Sequence, residues 1–263
     1  MINYDIASKT YDHTRKHSDE VLGRFADRVP FTPAIAVLDF GCGTGNYLNR
    51  IQLAFGCRCY GVEPSEGMRV LAAEKSRSLD IRQGDHRKIP FDAEFFDFAF
   101  MTDVIHHVPD MVLMFLELWR VLKFGRLLCV VTESHAQIQN RFYNDYFPSL
   151  AAKEKQRYPE IQSIIQSAVG SGFVHEETDV LSASAPATIT EQFLKNVEEK
   201  NYSMFRLLDE REYADGLSRL KRDVGKTFKP IGAGESLIWF KKTAQQTRGA
   251  QPSSAIAPEG GSR

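Results

Sequence analysis

Gly41, Gly43 and Gly45 alternate through the segment VLDFGCGTGN, residues 37–46, where the chain is best equipped for chemistry. Lacking a Cβ, glycine lets a ligand approach the backbone closely and accepts positive φ without steric cost. The residues behind the turn read as a helix, whose N-terminal N–H groups face whatever sits there. Eighteen residues past Gly45 stands Glu63, at the end of the next strand-like run. A carboxylate in that place is suited to hold both hydroxyls of a ribose. Together these residues point to a nucleotide-containing ligand. The dinucleotide fingerprint G-x-G-x-x-G needs its third glycine at position 46, which here is Asn46, so the spacing counts against a pyrophosphate.

Such residues have to be held at strand ends. Residues 34–40, 58–62, 79–83, 95–101 and 126–132 read as short strands, with helices over 46–55, 65–78 and 111–122. Ser65 and Asp110 stand where N-caps belong. Strand–helix alternation of this length predicts a doubly wound α/β sheet, because parallel neighbours need crossover helices. Beyond residue 136 the character changes. Residues 136–169 read as largely helical and carry Phe142, Tyr143, Tyr146, Phe147 and Tyr158, while 173–181 and 235–242 read as strands. Thr188…Glu191 and Asp209…Glu212 have capping-box spacing and predict the starts of two further helices.

Composition narrows the class. With 43% apolar and 25% charged residues the chain can build a sizeable core, which excludes disorder, coiled coil and collagen. Thirty-three basic against 34 acidic residues leave a net charge of −1, without the basic excess of a nucleic-acid binder. No apolar run approaches the roughly 20 residues needed to cross a bilayer, and the first residues lack a signal-peptide core. A cytoplasmic protein is expected, its four cysteines reduced and buried. No metal constellation stands out, since His13 and His17 have no acidic or cysteine partner at convincing spacing. Residues 1–243 read as one domain and the Gln/Ser/Pro/Gly-rich residues 244–263 as a disordered tail.

Taken in order, VLDFGCGTGNY, YGVEPSEGM, QGDHRKIPF, FDFAFMTDVIHHV and ELWRVLKFGRLLCVV resemble the class I S-adenosylmethionine-dependent methyltransferases, over residues 34–133. The resemblance implies an α/β, Rossmann-like, mostly parallel seven-stranded sheet of order 3-2-1-4-5-7-6, with strand 7 antiparallel. Residues 1–30 would form N-terminal cap helices, 34–133 the cofactor-binding core, and 136–170 and 184–230 helical lid insertions on the acceptor side. It implies S-adenosyl-L-methionine as cofactor. Asp39, Gly41 and Gly43 would line its methionine part, Glu63 would take the ribose hydroxyls, and Pro64 and Ser65 would border the adenine. Asp85 would accept from the adenine amino group, beside the backbone amide of His86, with Met101 and Thr102 near the transferable methyl. Tyr11 and Arg15 belong to a segment of the kind that closes over the cofactor, where Arg15 would pair with the methionine carboxylate or stay solvated. Two departures are visible. Phe124-Gly125-Arg126 replaces the usual proline-glycine-glycine turn, and Met101-Thr102-Asp103-Val104 replaces the Asn/Asp-Pro-Pro-Tyr of enzymes that methylate amide or adenine nitrogens.

Methyl transfer from a sulfonium needs alignment of the acceptor atom about 3 Å from the methyl carbon and exclusion of water. A base is needed only when the acceptor arrives protonated. His106 and His107 follow strand 4 at the carboxyl edge of the sheet, as acceptor-facing groups or as loop residues. If their stretch tightens into a helical turn, the imidazoles diverge by about 100°, so that His107 faces the acceptor and His106 packs locally. Glu133 and His135 lie past strand 5 on the same edge, and Tyr143 sits in an aromatic cluster that forms a substrate wall or the buried side of a lid. The expected partner is a small-molecule acceptor, apolar or aromatic, with no nucleic acid or membrane. A tRNA or protein methyltransferase on the same fold, or a cofactor-binding protein without catalysis, is the alternative. The first would need a basic or docking surface, and the intact Asp39–Gly45, Glu63 and Asp85 set disfavours the second.

Overall fold

The five residues of β1, Ala36–Phe40, are all buried, as a strand covered on both faces must be. The structure is a computed structural model, and it describes residues 17–182, 186–229 and 232–243. β1 pairs in parallel with β2 (Arg58–Val62) on one side and β4 (Phe96–Thr102) on the other. β3 (Asp80–Arg82) lies outside β2, and β5 (Leu122–Thr132) outside β4, both parallel. β9 (Gly234–Lys242) runs antiparallel between β5 and β6 (Phe173–Ser182). The order β3-β2-β1-β4-β5-β9-β6 is the expected one. The short strands β7 (Ala187–Thr188) and β8 (Thr227–Phe228) form a separate ladder. Chain progression reverses between β1 and β4, and a crevice opens there at the carboxyl ends of the strands.

Helices cover both faces. On one, α1 (Asp19–Arg28) and α2 (Asn46–Phe55) pack against Val37, Phe98, Phe100 and Trp239, with the Phe25 ring set edge-on to Trp239 at 5.9 Å. On the other, α4 (Met111–Val121) and α7 (Ile161–Gly170) bury Phe115, Leu118 and Ile164 against Val130, Ile238 and Phe240. α3 (Glu66–Lys75) follows β2, and α5 (His135–Gln139) leaves the end of β5. A third apolar cluster joins α6 (Leu150–Arg157), α8 (Glu191–Glu198) and α9 (Glu210–Arg222) around Phe147, Val197 and Phe205, forming a helical layer of its own.

Ser65, Asp110 and Asp209 cap their helices as expected, each accepting from the backbone N–H three residues on. Two details differ. Thr190, not Thr188, caps α8, because Thr188 is paired to Thr227 in the β7–β8 ladder. Glu212 accepts from Ser149, at 2.7 Å from its backbone nitrogen and also from its hydroxyl, so it ties α9 to α6 rather than completing a capping box. The complete capping box is Ser134 with Gln137 at α5.

β5 starts earlier than the apolar run predicts. Its first residue, Leu122, follows α4 directly, and the register slips between Phe96 and Phe98 where Lys123–Arg126 is accommodated. Gly125 takes φ 75° at this turn. Lys242, from the end of β9, fills the space beneath. Its side chain is 1% exposed, its Nζ donates to the Leu122 carbonyl at 2.7 Å, and the rings of Trp119 and Phe124 lie 4.0 and 4.2 Å away. Burial lowers its pKa. Lys242→Ala would strand the carbonyl and empty the aromatic cage, and is expected to cost about 2–4 kcal/mol of unfolding free energy, measured by urea denaturation. A loss below about 0.5 kcal/mol would show that the cage is not structural.

Candidate active site

The glycine turn is strained open in the manner its sequence demands, with Gly41, Gly43 and Gly45 at φ 76°, 54° and 76°. A Cβ on Gly41 would meet Val104 at 2.6 Å. Glu63 holds the turn from below. One carboxylate oxygen accepts from Gly43 N at 3.0 Å and the other from Ser65 N at 2.9 Å. Lys75, at the end of α3, reaches back to Thr44 and Asn46 at 2.8 and 2.6 Å. α2 therefore starts from a fixed point, its N-cap Gly45 offering no side chain to its first N–H groups.

Asp39, next to last in β1, has its side chain buried, and its Oδ1 has no hydrogen-bond partner. Burial, with Glu63 nearby, raises its carboxyl pKa well above the usual carboxylate range. A cationic group placed beside it would relieve both costs. An ionised carboxylate such as that of Glu63 offers about four lone-pair sites in all. Two buried carboxylates beside a glycine turn could together hold a cationic group and hydroxyl groups of one ligand.

The remaining expected cofactor residues fall into place unevenly. Pro64 and Ser65 follow Glu63, and Ser65 also caps α3. Asp85 and Lys88 form a tight backbone turn enclosing His86. Arg87 engages both Asp85 oxygens, holding that carboxyl below its ordinary range, so an adenine amino group would have to share it. Met101 is a correction. Its side chain is buried in the core with Phe115 and Val130, so that only its backbone can border a ligand. Thr102, partly buried, ends β4 opposite Val131. Tyr11, Arg15 and residues 244–263 lie outside the described residues.

Beyond the end of β4 a cavity of about 880 Å3 runs from Asp103 into the helical layer. Its walls include Phe142 stacked on Phe228, with centroids 5.5 Å apart, and Tyr143 stacked on Phe193 at 6.4 Å. Glu133 lines it too, but its carboxylate is held side-on by Arg141, through Nε at 2.9 Å and through Nη2. Arg141 also donates to Glu154 at 3.1 Å, and Arg157 to the other Glu154 oxygen at 2.7 Å. Composition and spacing gave no hint of Arg141. Its partners stand before and after it in sequence, and the single local sign was a cation opening an aromatic stretch.

The two histidines do not diverge. They lie on a 3₁₀ turn, Ile105–His107, with ring centroids 3.9 Å apart and 49° between planes. His106 is drawn onto the face of Tyr158, at 4.0 Å and 15°. His107 is exposed, and neither imidazole lines the cavity, whereas Tyr143, Tyr158 and Glu133 do. His135 faces the Tyr158 carbonyl at 2.8 Å and so supports the same tyrosine. Among the described residues no cluster of three His, Cys, Asp or Glu could hold a metal ion. No described helix is long and apolar enough to cross a membrane.

Residues 38–130 match a family described as "Methyltransferase domain". Phosphoethanolamine N-methyltransferase 2 of Caenorhabditis elegans is 25% identical over 174 residues, 64% of this chain, and the match spans 38% of that relative's length. Among solved structures, a protein described as a methyltransferase from an antibiotic biosynthesis pathway of Anabaena variabilis superposes with a TM-score of 0.70 at 18% identity, over 86% of this chain and 98% of that one. Geranyl diphosphate C-methyltransferase from Streptomyces coelicolor, in complex with Mg2+, geranyl diphosphate and S-adenosyl-L-homocysteine, gives 0.55 at 16% identity, over 86% and 79%. The strand order agrees with these likenesses, and residues 38–130 are similar to a methyltransferase domain.

Proposed function

We propose that the protein transfers a methyl group from S-adenosylmethionine to a small-molecule acceptor held in the cavity beside Asp103, releasing S-adenosylhomocysteine. The observation that carries this is the cavity itself. Its volume of about 880 Å3 suits a metabolite, and it opens from the strand end beside which the cofactor's methyl would lie. The bound cofactor supplies an electrophilic methyl on a good neutral leaving group. Asp39 balances the charge of its ammonium, and Glu63 fixes its ribose and the turn together. Phe142, Tyr143, Phe193 and Phe228 exclude water and align the acceptor, which is most of what an in-line displacement asks of a protein.

Where the acceptor arrives as a hydroxyl, Tyr143 is the group in the wall suited to receive or relay its proton. Glu133 is held on Arg141, and His106 acts through Tyr158 as a positioning residue. Incubation with cofactor labelled in the methyl group and separate metabolite, RNA and protein fractions tests the assignment. Label is expected in the metabolite fraction, and label confined to RNA or protein would overturn it.

Three further outcomes are expected. Glu63→Ala should weaken cofactor binding about ten- to a thousandfold by calorimetry, because charge-assisted hydrogen bonds to ribose are lost. An unchanged dissociation constant would remove Glu63 from the site. Below the raised pKa of Asp39 the free site carries a neutral carboxyl, so binding a cation must release a proton. Affinity should therefore rise with pH until that carboxyl is ionised, and Asp39→Asn should flatten the profile. A wild-type profile that is already flat would separate Asp39 from the ammonium. Finally, Tyr143→Phe should slow label transfer about tenfold or more at unchanged cofactor affinity, while His107→Ala stays within about twofold. The reverse order would return the chemistry to the histidine.

A further inference from the structure

The buried wall of the cavity holds a charge chain whose parts are fully accounted for except at one point. Arg157, Glu154, Arg141 and Glu133 alternate in sign, two guanidiniums against two carboxylates, and so balance. Arg141 lies within the chain and is 9% exposed, with Glu154 at 3%. A guanidinium has five N–H donors in a fixed fork. Three are used, Nε and one Nη2 hydrogen on Glu133 and one Nη1 hydrogen on Glu154. Two remain, one on each terminal nitrogen, on a residue that lines the cavity. Glu133 follows the last residue of β5, whose Val131 pairs with Thr102 at the end of β4, so this fork is anchored on the strand edge beside which the methyl would lie.

Taking the methyl-transfer reading of the cavity as its basis, we propose that Arg141 is the specificity-determining residue for the acceptor. Its two remaining N–H groups bind a carbonyl or hydroxyl oxygen of an uncharged molecule whose flat body lies against the aromatic wall. Charge bookkeeping selects the neutral class. A carboxylate or phosphate would add an uncompensated negative charge to a buried set that already balances, and an ammonium would sit against a guanidinium. A neutral oxygen accepts both N–H groups without altering the balance. Phe142, Tyr143, Phe193 and Phe228 touch one another as a single aromatic cluster, with Phe142 and Tyr143 edge-on at 5.3 Å, and offer one apolar surface to a flat skeleton. Glu20, Asp145 and Lys229 also line the cavity but are exposed. The carboxylates of Asp103 and Glu235, partly buried in its wall, make an ammonium the competing class.

The test uses three probes of one shape and different charge, acetylnaphthalene, naphthoate and naphthylmethylammonium, titrated into the full chain saturated with S-adenosylhomocysteine. Acetylnaphthalene is expected to bind about tenfold more tightly than either charged probe. Arg141→Lys, which keeps a cation for both carboxylates, should lose that preference while retaining S-adenosylhomocysteine affinity. The charge-balanced pair Glu133→Leu with Arg141→Leu should lose it as well, and leaves Arg157 and Glu154 paired if the single variant fails to fold. Tightest binding of naphthylmethylammonium, equal affinities, no binding by any probe, or a preference that survives both replacements would each overturn the proposal. S-adenosylhomocysteine affinity of the wild type is measured first. Its absence would defeat the methyl-transfer reading itself, which a lost probe preference does not.

Discussion

A single carboxylate joins two turns that belong to different strands. Glu63 follows the last residue of β2, yet its oxygens accept from Gly43 in the turn after β1 and from Ser65 at the start of α3. Three glycines at positive φ form a turn with many alternatives in the unfolded chain, and a buried acid that accepts from its backbone selects one of them. Lys75 ties the far end of α3 to the same turn through Thr44 and Asn46. The floor of the cofactor site is thus a small closed circuit of β1, β2, α2 and α3, and the direction of the α2 N-terminus follows from it.

The acceptor side is built on different physics. The helical layer has its own apolar cluster, and it meets the sheet around a cavity where buried charges stand beside aromatic rings. Such charges hold position only when paired, so Arg141 and Glu154 constrain each other as tightly as any apolar contact would. Tyr158 is fixed in the same region by His106 on its ring and His135 at its carbonyl. Between the acid-pinned turn and a charge-braced wall, the cavity has a definite shape.

What was legible in the sequence was local. β1, β2 and β4 announce themselves as short buried runs, and the spacing pairs the glycine turn with Glu63, whose carboxylate accepts from Gly43. Ser65, Asp110 and Asp209 name their helices because a cap is a contact three residues long. The early start of β5 was hidden, since Lys123–Arg126 looks like a loop until Lys242 arrives beneath it from the far end of the fold. Arg141 was hidden for the same reason, its partners lying on either side at a distance. The helical turn at the histidines and the local packing of His106 were legible, but not the divergence expected of the two rings, because the flat face of Tyr158 decides where His106 goes. Met101 was assigned by its place at a strand end, whereas the alternation of β4 turns it into the core.

The insertion of β9 between β5 and β6 sets an order in time as well as in space. β1 to β5 can pair as soon as they leave the ribosome, each beside a strand already made. β6 is synthesised before β9 but has no neighbour in the sheet until β9 exists, because β9 is its pairing partner. From residue 182 to residue 234, therefore, the nascent chain carries an open β5 edge and an unpaired β6, while the helical layer is still being made. The last strand closes both edges at once, and Lys242 at its end locks the joint. An open edge of this kind is exposed to misassembly through the whole synthesis of the helical layer, until the final strand arrives.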